Sequence, residues 1–218
     1  MKIYAISDIH GYIDELNMAL SYIDLDDEDT QLVFLGDYIH GHDSYAVLDR
    51  VMKLQEKYGS KKIVTLMGNH EEAVDEARST ISEGDDVVRE GVDDIPYRNW
   101  IHSLKKYYKT DKQIFVHAGI DEDAQELWEV GTPFFTFFEK YPPQTGYFYM
   151  DVIAGHTGTA IISGDPNFHG IFYDGKSHYY IDGSVYKSGR LPLLMFDSDI
   201  GKYYEIKDGE KHLIDAFI

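Results

Sequence analysis

The chain has 218 residues, of which 43% are apolar and 27% charged, a balance that suits a folded, water-soluble body rather than a disordered polymer. Its formal net charge of -19 argues against nucleic acid and anionic membranes as partners, and the lack of cysteine removes disulfides, thiolate metal sites and a cysteine nucleophile. No apolar run reaches bilayer-spanning length, and Ser7, Asp8 and His10 interrupt the first one too early for a secretory signal, so a cytoplasmic location is expected. The length predicts one domain over residues 1–218, with a lid or irregular insertion around 121–143.

In chain order, KIYAIS, QLVFLG and KKIVTLMG are apolar runs that predict buried strands. Between the first two, Ile13, Leu16, Leu20 and Ile23 recur at helical spacing and predict a helix over 13–23. A second helix is expected over Ser44–Tyr58, with Asp43 placed to cap its start and Gly59 beyond its end. Strand, helix, strand, helix, strand is the order that gives a parallel sheet with right-handed crossovers. EEAVDEARSTI predicts a third helix, the acidic stretch 82–94 a mobile connection, and PYRNWIHSLKKYY a fourth helix begun near Pro96. QIFVHAG and VIAGHT predict further strands. HGIFYDGKSHYYIDGSV and LPLLMFDSDIGKYYEI alternate apolar residues with Gly and Asp turns and predict two β-hairpins, their tyrosines on a wet surface.

In open α/β sheets ligands collect beyond the carboxyl ends of the strands. Here those ends carry Asp8 and His10, Asp37, Asn69 and His70, His117, and His156. Oxygen and imidazole donors without sulfur suit Mn²⁺, Fe or Zn²⁺ rather than a structural zinc cage. Asp8, His10, Asp37, Asn69, His117 and His156 are too many for one metal with an open position. They suit two, bridged by a carboxylate and about 3.5–4 Å apart. Two divalent ions against two carboxylates leave the centre positive, able to attract phosphate despite the acidic body.

The ordered set SDIHG, GDYIHGH, GNHE, VHAG and AGHT resembles the calcineurin-like metallophosphoesterases. Within them it is most similar to the phosphoprotein-phosphatase branch, which includes bacterial serine/threonine phosphatases and diadenosine tetraphosphatases. The resemblance covers roughly residues 1–158. It implies an α/β fold, a β-sandwich flanked by helices, with the site at the carboxyl ends of strands. It implies that Asp8, His10 and Asp37 hold a first metal, that Asp37 bridges to a second, and that Asn69, His117 and His156 complete the second. His70 then resembles the general acid, Asn69 also faces substrate, and Glu71 caps or supports the following helix. The implied cofactors are two divalent ions, Mn²⁺ foremost. The implied activity is hydrolysis of phosphomonoesters by direct attack of hydroxide, on a phosphoserine or phosphothreonine protein or a small phosphorylated substrate. Two alternatives stand beside it: hydrolysis of a dinucleoside polyphosphate, and a metal- and phosphate-binding protein impaired in turnover.

One departure bears on substrate. The family follows Gly-Asp-x-x with Asp-Arg-Gly, in which the Asp orients the acid histidine and the Arg grips phosphate. This chain has GDYIHGHDS, with His40 where the Asp is expected and no arginine after it. His40 or His42 contacting phosphate, with Asp43 orienting His70, is the functional reading; two histidines filling a surface turn is the plain one. Arg78, Arg98 and Arg190 are candidates for the missing guanidinium. His169 and His178 are further candidates to border the site, and Asp182 to support it.

Overall fold

The computed structural model describes residues 1–82 and 91–217, so most of the acidic stretch read as a mobile connection lies outside the described residues. The amino-terminal half runs β1 (Lys2–Ile6), α1 (Ile13–Ser21), β2 (Thr30–Phe34), α2 (Ser44–Tyr58), β3 (Ile63–Thr65), α3 (Asn69–Asp75) and α4 (Ile95–His102). Then come β4 (Tyr107–Lys109), β5 (Gln113–Val116), a 3₁₀ turn (Glu122–Leu127), α5 (Trp128–Gly131), α6 (Thr136–Glu139) and β6 (Asp151–Ala154). The rest is α7 (Thr159–Ser163), β7 (Phe172–Tyr173), β8 (His178–Tyr180), α8 (Val185–Ser188), β9 (Leu193–Asp197), β10 (Lys202–Lys207) and β11 (Glu210–Leu213).

The strands form two sheets, one in the order β11-β10-β9-β1-β2-β3 and the other β4-β5-β6-β8-β7. In the first, β1, β2 and β3 are mutually parallel, as the alternation with helices requires. In the second, β5, β6 and β8 are parallel in the same way. Period-two alternation assigns the two faces of β1. Ile3 and Ala5 join Val33, Leu35, Phe115, Ile153 and Leu194 in one buried cluster that draws on both sheets. Tyr4 and Ile6 turn the other way, toward Leu16, Leu20, Val47 and Val51 of α1 and α2. The arrangement is a β-sandwich flanked by helices.

Polar groups also tie the sheets together. Tyr203 donates its hydroxyl to Asp151 Oδ2 at 2.6 Å and accepts from Gln113 Nε2 at 3.0 Å, and its ring lies 4.2 Å from that of Tyr179. Tyr179 and Tyr180 are therefore core residues and not the wet-surface tyrosines expected. Packing two aromatic strands between sheets removes more apolar area from water than leaving one face exposed.

Other expectations are revised for equally local reasons. α4 stops at His102, and Tyr107–Lys109 is a strand where the helix was expected to continue. There Tyr107 packs on Trp128 at 4.9 Å and Phe137 at 5.6 Å, and this burial overrides helix propensity. The helix after GNH ends at Asp75, because Ala77 takes a left-handed φ of 56° and Arg78 and Ser79 both donate to Ala73 O. Residues 121–143 hold short helical turns around the buried side chains of Trp128, Phe137 and Phe138. Both hairpins form, and β11 adds a strand to the second.

That insertion is fastened by His178. Its Nδ1 lies 3.1 Å from Asp174 Oδ2 and its Nε2 2.9 Å from Glu122 Oε1, an arrangement that an imidazolium satisfies at both ends. Burial opposes the charge, but Glu122 and Asp174 outweigh it and raise the pKa above the ordinary histidine value. A raised folded pKa stabilises fully below the unfolded value, about 6.5, and the contribution is lost as pH rises through the folded value. The melting temperature is accordingly expected to fall between pH 6 and pH 9. Glu122→Gln, which weakens the shift, is expected to flatten that fall in matched thermal scans.

Candidate metal centre

Six parallel strands, three from each sheet, end at one place. β1 leads into Asp8 and His10, β2 into Asp37, and β3 into Asn69 and His70; β5 leads into His117, β6 into His156, and β8 into Asp182. The chain turns sharply there. Asp8, His10, Asp37 and His156 all take left-handed φ values, 53°, 47°, 57° and 64°. Non-glycine residues pay for that conformation, and such strain gathers where side-chain aim matters more than backbone comfort. Gly68 is a glycine for a steric reason: a Cβ there would run into Asp37 Oδ1 and the Asp37 backbone nitrogen.

Asp37 is the hub. Its Oδ2 lies 3.5 Å from His117 Nε2, 3.7 Å from His10 Nε2 and 3.8 Å from His70 Nε2, while Oδ1 accepts from the His70 backbone N–H at 3.1 Å. Asn69 Oδ1 sits 3.0 Å from His117 Nε2 and 3.1 Å from His156 Nδ1. Asp8 accepts from the His156 backbone N–H at 3.0 Å. Two overlapping donor groups result, His10 with Asp37 and His70, and Asp8 with Asp37 and His117.

The donor chemistry fits cations. His10 Nδ1 lies 3.1 Å from the Ile39 carbonyl and His117 Nδ1 3.1 Å from the Leu35 carbonyl. A carbonyl only accepts, so each ring carries a proton on Nδ1 and, in its neutral form, turns a bare Nε2 inward. The Nε2 of His117 then meets the oxygens of Asn69 and Asp37 lone pair to lone pair, which a positive ion between them relieves. Carboxylate crowding says the same. Burial, and next the Asp37 charge, push Asp8 up to about 7; burial and Asp8 do the same to Asp182. Burial works against ionisation of Asp37 too, but His117, His70 and His10, when protonated, hold it at about 2. Burial and neighbouring imidazoles lower His70 and His156 to about 4, so both are neutral and available near pH 7.

Glu71 does more than cap its helix. Its buried carboxylate accepts from the backbone N–H groups of Gly68, Asp37, Tyr38 and Ile39, at 3.1, 2.7, 2.8 and 3.2 Å. One side chain thus joins the loop after β2 to the start of α3. The spacing within GNHE signals the cap, but no pattern signals the three bonds to a loop more than thirty residues earlier.

The departure at GDYIHGHDS also has a definite geometry. His40 Nδ1 lies 2.7 Å from His70 Nδ1. His42 is exposed and packs on Tyr12, ring centres 5.9 Å apart. Asp43 caps α2 by accepting from Ala46 N, so the partner of His70 is His40 and not Asp43. Arg78 pairs with Glu72 and Arg190 with Glu205, while Arg98 lies against the Val74 carbonyl at 3.5 Å. His178 belongs to the clasp on the insertion described above.

Comparison with known proteins gives a match to the family model described as calcineurin-like phosphoesterase over residues 1–188. The chain is 26% identical over 140 residues to a symmetrical bis(5'-nucleosyl)-tetraphosphatase of Glaesserella parasuis serovar 5, covering 61% of this chain and 48% of that protein. It is 29% identical over 140 residues to the protein of that name from Buchnera aphidicola subsp. Schizaphis graminum, with the same 61% and 48% coverage. The chain therefore spans about half the length of the curated relatives it matches. Among solved structures, a cold-active protein tyrosine phosphatase superposes with a TM-score of 0.70 at 18% identity, covering 99% of this chain and 79% of that one. At that identity the likeness concerns the fold.

Mn²⁺ is expected to raise the melting temperature of the protein, since a ligand of the native state alone must do so, and Asp37→Asn to remove the rise. Gly68→Ala, which forces a methyl group against Asp37, is expected to cost about 1–3 kcal/mol in urea unfolding and to blunt the response to Mn²⁺.

Proposed function

This chain belongs to the calcineurin-like phosphoesterase family, and from that membership we propose that it is a metal-dependent hydrolase of phosphate esters. Phosphomonoesters of the phosphoserine and phosphothreonine type are the substrates put first. The observation that carries the reading is the convergence of Asp8, His10, Asp37, Asn69, His117 and His156 from five separate segments on one buried spot.

Asp8, His10 and Asp37 are assigned to one ion and Asn69, His117 and His156, with Asp37 shared, to the other. When bound there, two divalent ions, Mn²⁺ foremost, would supply hydroxide at neutral pH and neutralise phosphoryl charge. The residues do the rest. With Asn69 Oδ1 turned toward His117 and His156, its amide NH₂ is left to donate to a phosphoryl oxygen. His70 Nε2, on the side of Asp37, is placed to give a proton to the leaving oxygen. Burial keeps His70 neutral in the free site; an arriving phosphate anion favours the imidazolium. The strained turns at Asp8, His10, Asp37 and His156 fix these groups before substrate arrives.

A second reading, hydrolysis of a dinucleoside tetraphosphate, is favoured by the names of the two curated relatives. The two differ in whether a dinucleotide is turned over and competes with a phosphopeptide. A third, a binding protein without turnover, rests on the missing Asp-Arg pair.

Turnover with Mn²⁺ that is abolished by chelator and by Asp37→Asn is the expected result, and it rejects the third reading. His70→Asn is expected to slow an alkyl phosphate by about 10²–10⁴-fold and p-nitrophenyl phosphate far less, because a good leaving group needs no proton. Equal losses on the two substrates would remove His70 from the acid role.

A further inference from the structure

The contact between His40 and His70 is a nitrogen-to-nitrogen approach of 2.7 Å, and two imidazoles make such a contact only if one donates and the other accepts. The far side of His40 decides which. Its Nε2 lies 2.8 Å from the carbonyl oxygen of Thr80. A carbonyl has no proton, so Nε2 of His40 carries one, and an uncharged His40 then presents a bare Nδ1. The proton in the contact therefore belongs to His70 Nδ1. That leaves His70 Nε2 bare and aimed toward Asp37 Oδ2, 3.8 Å away.

The backbone makes His40 rigid as well as polar. Its φ is 61°, in the left-handed region, and its N–H donates to Ser44 Oγ at 3.1 Å. Ser44 Oγ in turn donates to the Ser82 carbonyl. Ser79 Oγ lies 3.3 Å from His40 Nε2. The segment running from α3 to Ser82 thus grips the ring at one end, and His70 is held at the other.

We propose that His40 is the positioning residue of His70, and that the Thr80 carbonyl, by fixing the tautomer of His40, fixes the tautomer and the aim of His70. The catalytic group remains His70; His40 acts through it. The assignment rests on the hydrolase reading for its kinetic consequence only, since the tautomer is a property of the protein without metal or substrate.

The first arm of the test is therefore not kinetic. Long-range ¹H–¹⁵N correlation on the metal-free protein at pH 8, with His70→Asn as the assignment control, is expected to show His70 protonated on Nδ1. His40→Ala is expected to release that preference, and His40→Asp, whose carboxylate only accepts, to restore it. The second arm measures turnover of an alkyl phosphate with Mn²⁺. His40→Ala is expected to lower kcat by about 10–100-fold with KM and the Mn²⁺-induced rise in melting temperature little changed, and His40→Asp to recover most of it. His70 protonated on Nε2 in the unaltered protein, or a His40→Ala protein whose His70 tautomer is unchanged, overturns the proposal. So does a His40→Asp protein that behaves like His40→Ala in both arms. An unaltered protein that turns over no phosphate ester with any divalent ion overturns the hydrolase reading instead, and the tautomer result still decides the role of His40.

Discussion

Everything at the site depends on keeping one carboxylate, Asp37, ionised in a buried place. A lone buried carboxylate is expensive, and the ordinary outcome is that it takes up a proton. Here three imidazoles aim their Nε2 atoms at Asp37 Oδ2 from 3.5 to 3.8 Å, and the backbone N–H of His70 donates to Oδ1. When those rings carry protons they hold the carboxyl at about 2, while Asp8 and Asp182 rise to about 7. With the rings neutral, the spot is negative at its centre and lined with bare nitrogens. That is an unfavourable arrangement for a protein alone and a favourable one around cations. The fold meets the cost with backbone. Glu71 spends its whole carboxylate on four N–H groups of the two loops that carry Asp37 and Asn69.

Much of this was legible in the sequence, because the chemistry sits in short polar breaks after apolar runs. The strands before Asp8, Asp37, Asn69, His117 and His156 follow from their apolar runs, and the parallel order of the first three from the helices between them. Legibility ended where a decision was made at long range. Tyr107–Lys109 has a sequence a helix accepts, and only the rings of Trp128 and Phe137 turn it into a strand. β11 is exposed along its length, so no buried face announces it. The link from His40 to Thr80 ends on a carbonyl, and carbonyls are the same at every residue. The arginine question has a similar character: Arg78 and Arg190 are visible as residue types, but their ion pairs with Glu72 and Glu205 are visible only in space.

The acidic composition acquires a physical sense in the same frame. With a net charge of -19, the body repels phosphate over most of its surface. Attraction must then be local and must come from what the site holds. On the proposed reading, affinity for a phosphorylated ligand is conditional on cations and selectivity falls to the side chains around them, among which the imidazoles of His40 and His70 stand where an acidic residue and its histidine are found in the family pattern.

The division of the cluster between the two sheets has a mechanical corollary. Asp8, His10, Asp37 and Asn69 ride on one sheet, His117 and His156 on the other. The gap between the halves is therefore a joint, and its width is set by whatever stops the sheets from sliding. Tyr203, with Gln113 and Asp151, is one such stop, and the Leu35 carbonyl under His117 is another. A methyl group gained or lost in that interface, far from any reacting atom, becomes a change in the calibre of the active centre.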